Sequence, residues 1–505
     1  MPLSRREFLK LSVLLPLFGA RSPYFFGAPT QRAENPEAPN VLILLFDTLS
    51  AYHISLYGYR RETMPNLARF AERATVYHQH YAAGNFTTPG TASLLTGVYP
   101  WTHRAIRFSD TVAPQFVNQN LFGVFGEKGY YRIAYTHNPL TNTLLRQMRA
   151  GLETLKPLQE LFLDTRDFWV GTLLANDYDT ASISRAMDLQ RDDGFAGSLF
   201  LSKLYESLQE KHRKELDKMY GEAFPRGIPN VDENYFLLEH AIDWIQRQLT
   251  DLPHPFLAYF HLMPPHDPYL TRQEFVDRFD DGWVPTAKPE HPLSQGAGQD
   301  ALVVYRRAYD EYIAYADAEF GRLYDAMQEA GVLDNTWVVF TSDHGELFER
   351  GILGHANRTL YEPLIRVPLL ISQPGQQART DIHVPTSCID LLPTLLHATG
   401  QPVPDWCEGE ILPPYRADEA NPEREIFALE AKGSPKYGAL NQATASMIKG
   451  EYKVTYYFGY PEGKRLYEFY DLQKDPEELE DLFDEKGSLA EEYLDTLLEK
   501  IRSVG

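Results

Sequence analysis

Trp337-Val338-Val339-Phe340-Thr341-Ser342-Asp343-His344-Gly345-Glu346 is an apolar, β-branched run that halts at an acid, an imidazole and a glycine. The run reads as a buried strand, and the glycine as the punctuation after it. Asp343 and His344 then stand at the carboxyl end of a strand, where open α/β sheets bind their ligands. An oxygen donor beside a nitrogen donor suits Zn2+ or Mn2+ better than Ca2+ or Mg2+. A single Asp-His pair is more often structural, so partners elsewhere in the chain decide what it means. Val41-Leu42-Ile43-Leu44-Leu45-Phe46-Asp47 ends in the same way, as a central parallel strand capped by a carboxylate. A buried carboxylate needs a cation or a network of donors. Two strand-end acids on one sheet edge point to a metal centre.

A third stretch, Asn85-Phe86-Thr87-Thr88-Pro89-Gly90-Thr91 through Gly97, opens a helix: Pro89 suits the first turn and Gly97 the cap. A threonine hydroxyl at that start lies among free backbone N–H groups, an anion-binding position. Thr87 or Thr88 would serve equally well as a simple N-cap.

The 505 residues, 43% of them hydrophobic, can bury a large core and leave room for a smaller second unit. A net charge of −22 argues against nucleic-acid or anionic-membrane binding, since both need a basic face. An anionic substrate must therefore be drawn to a local positive site, which a metal would supply. The two cysteines, Cys388 and Cys407, could form one disulfide after export but cannot build a cysteine-rich metal site. Ser4-Arg5-Arg6-Glu7-Phe8-Leu9-Lys10 and the short apolar run after it match a twin-arginine export signal. That run is too short to span a bilayer and is broken by Pro16, and no later stretch is apolar enough to cross one. The expected location is periplasmic or extracellular, with the twin-arginine machinery as a partner.

Along the chain, residues 1–35 read as signal and linker, 36–415 as the catalytic α/β domain and 416–505 as a C-terminal α+β subdomain. Residues 141–250 are mostly helical and charged, without a strand of the central-sheet type, and read as an inserted cap. Strand character returns at Phe256–Leu262, which leads into the stiff loop Pro264-Pro265-His266-Asp267-Pro268-Tyr269. A long helix from Tyr305 to Ala330 feeds the 337–342 strand. Short aromatic strands such as Tyr452–Tyr457 and a helix from Ala490 to Arg502 close the chain.

These stretches, in this order, resemble the sulfatase branch of the alkaline phosphatase superfamily. Pro39-Asn40-Val41 to Asp47, Tyr57-Gly58-Tyr59, Met64-Pro65-Asn66-Leu67, Leu94 to Pro100, Pro264 to Tyr269, Asn335 to Glu346 and Cys388 to Gly400 carry the likeness. It implies a large, mainly parallel sheet flanked by helices and a small antiparallel C-terminal subdomain. The departures concern the chemistry. Sulfatases of this family carry Cys or Ser, then x-Pro-x-Arg, with the first residue oxidised to formylglycine; here the stretch is Thr87-Thr88-Pro89-Gly90-Thr91. The family's lysine after the Gly-Tyr strand is replaced by Thr136-His137-Asn138-Pro139, and the second acid of its opening Asp-Asp pair is Thr48. The pattern is closer to relatives with an unmodified threonine nucleophile, which are phosphodiesterases, phosphonate monoester hydrolases and lipid phosphotransferases.

The resemblance implies a metal held by Asp47, Asp343, His344 and Thr87 Oγ1, and a phosphothreonine intermediate. His266 and His355 would contact the leaving group or hold a second metal, while Asn85 and His137 are candidate oxyanion contacts. His261 reads as structural. The substrate would be a small-molecule, glycan-linked or lipid-linked anionic ester. Head-group transfer, sulfate-ester hydrolysis without formylglycine and an inactive binding protein remain the alternatives.

Overall fold

The computed structural model describes residues 37–163, 177, 180, 181, 184, 198–418, 421–461 and 466–504. The export-signal stretch lies outside the described residues. Eight strands form the central sheet: β1 (Asn40–Phe46), β2 (Thr75–Tyr77), β3 (Tyr131–Thr136), β4 (Thr154–Leu155), β5 (Phe256–Leu262), β6 (Thr336–Thr341), β7 (Leu369–Ser372) and β8 (Thr380–Ile382). Their order is β8-β2-β7-β6-β1-β5-β3-β4. The four central strands β6, β1, β5 and β3 are mutually parallel, whereas β7 runs antiparallel to both β6 and β2. Four carboxyl ends therefore open side by side on one edge of the sheet.

The alternation of side chains along β1 divides the core into two layers. Leu42, Leu44 and Phe46 face helices α1 (Pro65–Ala71), α5 (Leu238–Asp251) and α6 (Gln299–Glu329). Val41, Ile43 and Leu45 face α2 (Thr87–Thr96), α3 (Pro139–Gln147) and α7 (Leu391–Ala398). Helix α4 (Leu199–Tyr220) lies in the 141–250 stretch. A four-stranded antiparallel sheet, β9 (Ile426–Glu430), β10 (Ala443–Lys449), β11 (Tyr452–Phe458) and β12 (Leu466–Asp471), carries α8 (Ser488–Ser503) on one face. The fold is thus an α/β sandwich with a mainly parallel central sheet and an antiparallel C-terminal sheet.

The 141–250 stretch differs from the expectation of a pure insertion. Thr154–Leu155 pairs with β3 as the edge strand of the central sheet, and α5 packs on α6 as one of the sheet's covering helices. A two-residue strand is too short to show periodicity, and α5's apolar stripe looks the same whether it faces a sheet or a cap. Among the described residues no helix is long and apolar enough to cross a membrane. Cys388 and Cys407 are both unbridged.

Candidate metal centre and nucleophile

Parallel pairing aligns Phe46 with Leu262 and Leu45 with both His261 and Thr341, so the residues just past these strands emerge together. Asp47 follows β1, and Asp343 and His344 follow β6. Each offers a ligand atom, and these atoms all lie within 4.8 Å of one another. All three side chains are buried. His344 Nδ1 is held by its hydrogen bond to Gly345 O at 3.0 Å, which leaves Nε2 facing the cluster. From there Nε2 lies 3.6 Å from Asp47 Oδ1 and 3.7 Å from Asp343 Oδ2. Ser342 braces the turn, donating to His344 O at 2.7 Å and accepting from Leu49 N at 2.9 Å.

Thr87 is the first residue of α2 and Phe86 its cap, so neither threonine is the N-cap. Thr87 Oγ1 lies 3.4 Å from His344 Nε2 and accepts a hydrogen bond from Asn138 Nδ2 at 3.2 Å. Helix α2 reaches the cluster because Gly90 has no side chain: a Cβ there would stand 2.2 Å from Asp343 O. Gly90→Ala is therefore expected to push the helix start outwards. It should cost about 1–3 kcal/mol of stability by overpacking and about 10^2-fold in turnover through misplacement of Thr87. Thermal unfolding and steady-state kinetics on one preparation check both.

Two residues to which the sequence reading gave no role complete the cluster. Asn138 caps α3, its Oδ1 accepting from Leu140 N and Thr141 N. That cap orients the amide, so Nδ2 donates to Asp47 Oδ2 at 2.6 Å. His261, read as merely structural, sets Nε2 at 2.9 Å from Asp47 Oδ2 and 3.9 Å from Asp343 Oδ2. Its Nδ1 meets Thr141 Oγ1 at 3.0 Å. An Asn-Pro pair after a strand is the N-cap signal that could have exposed Asn138. His261 sits inside an apolar strand, where only the register across β1 reveals its partner. Outer-shell groups of this kind tune metal affinity by about 10–100-fold. Asn138→Ala and His261→Phe should weaken binding of Mn2+ or Zn2+ by that amount in metal titrations.

Burial raises the Asp343 carboxyl, and the neighbouring Asp47 charge raises it further. Burial works in the same sense on Asp47, but the charge and hydrogen bond of His261 hold it well below the usual carboxylate range. Asp47 Oδ1 is buried with no hydrogen-bond partner among the described residues. Two buried carboxylates, one orphaned oxygen and an imidazole nitrogen form a donor set that fits a divalent cation.

A second group lies further out. His266, Asp267 and His355 also bring ligand atoms within 4.8 Å of one another. The His355 ring centroid is 4.6 Å from His266 and 4.7 Å from His344. Glu346 holds His355 Nδ1 at 3.0 Å. Burial lowers His355, but the Glu346 charge outweighs it and lifts the imidazole to about 9.

The two expected oxyanion contacts are engaged elsewhere. Asn85 Nδ2 donates to Asn357 O and Thr359 O at 3.0 and 2.8 Å, which pins the 355–359 loop, although its Oδ1 is buried without a partner among the described residues. His137 stacks on Phe236 at 4.4 Å and Phe162 at 6.0 Å, with Met263 N donating to its Nδ1 at 3.5 Å. Burial holds it at about 3. The residue after it, Asn138, is the one that turns into the cluster.

The Sulfatase family model matches residues 39–401. The chain belongs to the sulfatase family. Residues 351–504 also match the C-terminal region of N-sulphoglucosamine sulphohydrolase. The uncharacterized sulfatase YidJ of Escherichia coli is 24% identical over 74% of this chain and 70% of its own length. The choline-sulfatase of Rhizobium meliloti is 30% identical over half of this chain and 51% of its own. A solved structure, the phosphonate monoester hydrolase of Agrobacterium radiobacter, superposes with a TM-score of 0.66 at 21% identity, covering 92% of this chain and 95% of that one. This sulfatase-family hydrolase belongs to a metal-dependent family, and its buried Asp-Asp-His cluster is the candidate metal site.

Proposed function

We propose that this sulfatase-family protein hydrolyses phosphate diesters or phosphonate monoesters, with unmodified Thr87 as the nucleophile. The observation that carries this reading is Thr87 Oγ1 at 3.4 Å from His344 Nε2, on the rim of the Asp47, Asp343 and His344 cluster. A divalent cation held by those three, Mn2+ or Zn2+ by their mixed donors, would lower the pKa of an adjoining hydroxyl and offset charge on the ester oxygens.

The chain's own groups do the rest. Asn138, donating to Thr87 Oγ1, favours the deprotonated oxygen. The Thr87 hydroxyl loses its proton to solvent, its oxygen attacks phosphorus, the bond to the leaving alkoxide breaks, and the group stays on Thr87 as a phosphothreonine. In the first turn of α2, Thr87 and Thr88 would offer their backbone N–H groups to the developing charge, since Pro89 has none and Gly90 N donates to Phe86 O. His266, half-turned to solvent with Nδ1 on Asp267 O at 2.7 Å, keeps Nε2 to protonate the leaving oxygen. Water then attacks phosphorus in line, the P–Oγ bond breaks, and Thr87 is restored. Formylglycine enzymes release sulfate by collapse of a geminal diol, a route closed to threonine, which favours phosphorus as the transferred centre.

The structural likeness to a phosphonate monoester hydrolase supports this substrate class. The choline-sulfatase relative favours a second reading, sulfate-ester hydrolysis on the same cluster. Initial rates on bis-p-nitrophenyl phosphate, p-nitrophenyl phenylphosphonate and p-nitrophenyl sulfate, with Mn2+ or Zn2+ added, separate the two. Dominant sulfate turnover would reverse the preference stated here. By this reading the protein acts outside the cytoplasm, after twin-arginine export.

A further inference from the structure

A cavity of about 510 Å3 opens beside the 51–60 segment after β1, between the 283–288 loop, helix α6 and residues 476–479. Its size is that of a small-molecule site. No residue of the two ligand clusters lines it. A wall of packed rings stands between: Tyr309 lies 4.9 Å from His53 on the cavity side, and 5.4 Å from Tyr269 in the loop that carries His266.

The charge in this cavity is out of keeping with the rest of the chain. Glu349 faces Lys288 at 2.9 Å and Arg306 at 3.7 Å, and Arg60 and Arg366 also line the recess. Lys288 is further matched by Glu477 at 2.7 Å. Arg306 donates through Nη2 to Phe348 O at 3.2 Å, and its Nε has no partner among the described residues. Arg60, at the mouth, has no carboxylate partner among the described residues and lies 5.6 Å from the centre of the Trp283 ring. In a chain of net charge −22, such an excess of guanidinium in a recess favours an anion. Trp283, edge-on to Tyr59 at 5.8 Å, supplies a flat apolar wall beside it.

We propose that this cavity is a second ligand site, for a small organic anion borne on a ring: the sulfate, phosphonate or carboxylate against Arg306 and Arg60, the ring along Trp283. Glu349 belongs to the hairpin Phe348–Glu349 with Ile352–Leu353, which follows Glu346 and precedes His355. An occupant therefore rests on the segment that carries His355 of the outer cluster and Glu346, its hydrogen-bond partner. A distal unit of an extended substrate and a free effector present the same chemistry here, and the inference holds whichever ester is cleaved.

Isothermal titration of the metal-loaded protein with phenylphosphonate tests it. One phenylphosphonate site should weaken at least about tenfold in Arg306→Gln and in Arg60→Glu, and survive in Asp343→Asn. Trp283→Leu should weaken phenylphosphonate but not methylphosphonate at that site. Arg60 is exposed, so its variant reports binding even if Arg306→Gln fails to fold. If neither arginine variant, folded by circular dichroism, changes any phenylphosphonate site, the cavity is not a ligand site and the proposal is wrong. A site lost in Asp343→Asn alone belongs to the metal cluster and likewise rejects it. Given a site lost in the arginine variants, a changed kcat on a minimal ester when phenylphosphonate fills it identifies an effector. A raised KM confined to an aryl-oligosaccharide ester identifies a distal substrate unit.

Discussion

Thr87→Ala is expected to lower kcat about 10^4-fold or more on every ester the wild type cleaves, because the covalent route is removed altogether. Thr87→Ser should keep a substantial part of the rate, since the oxygen is retained and only the methyl group is lost. Metal content should change little in either variant, as the Asp47, Asp343 and His344 atoms remain within reach of one another. Thr88 is the internal control. Its hydroxyl is buried with no partner among the described residues, so Thr88→Ala removes an unsatisfied group and should be near neutral in rate and stability. Rapid quench of the wild type with a slow phosphonate ester, followed by peptide mass spectrometry, should place the adduct on Thr87. An adduct on Thr88, or a Thr87→Ala enzyme with wild-type turnover, rules out the assigned nucleophile.

Asp343→Asn carries the second large effect, and it is readable without any substrate. In the wild type, saturating Mn2+ or Zn2+ should stabilise the fold by about 3 kcal/mol at a hundredfold excess over Kd. The variant should show almost none of that gain. The metal-free proteins should rank in the opposite order. Asp343 shares a buried site with Asp47, so neutralising it relieves a like-charge contact that His261, His344 and Asn138 only partly moderate. Asp343→Asn should therefore unfold at a higher temperature than the metal-free wild type and at a lower one than the loaded wild type. Plasma mass spectrometry of dialysed protein counts the ions. Two per chain, falling to one in His355→Ala, assigns the outer cluster to a second cation; one throughout leaves His266 and His355 to the leaving group. A wild type that unfolds at the same temperature with and without metal would falsify the cluster as a cation site.

Much of this is legible in the sequence. Continuous apolar runs ending in Asp47 and in Asp343-His344 point to parallel central strands with candidate ligands at their carboxyl ends; β1 ends at Phe46, directly before Asp47, and β6 at Thr341, with Ser342 between it and Asp343. Pro89 in the first turn of a helix and Gly97 at its end are equally plain, because proline and glycine constrain the backbone locally, although the helix begins two residues before Pro89, at Thr87. Local signals of this kind survive in one dimension since each depends on neighbours only a few residues away.

What only the tertiary structure decided depends on register. Leu45 lies opposite His261 across the β1–β5 pairing, and this converts an unremarkable strand histidine into the partner of Asp47. The one-residue step from His137 to Asn138 places one side chain in a phenylalanine stack and the next in the cluster, because the chain turns there from strand to helix. Gly90 reads in the sequence as an ordinary helix residue, yet the backbone of Asp343 stands where its side chain would be. The sequence alone placed Asp47, Asp343 and His344 at the strand ends, through periodicity and chain stiffness. Which side chains support them was settled by packing between segments 91 and 214 residues apart along the chain, and no local pattern encodes such a contact.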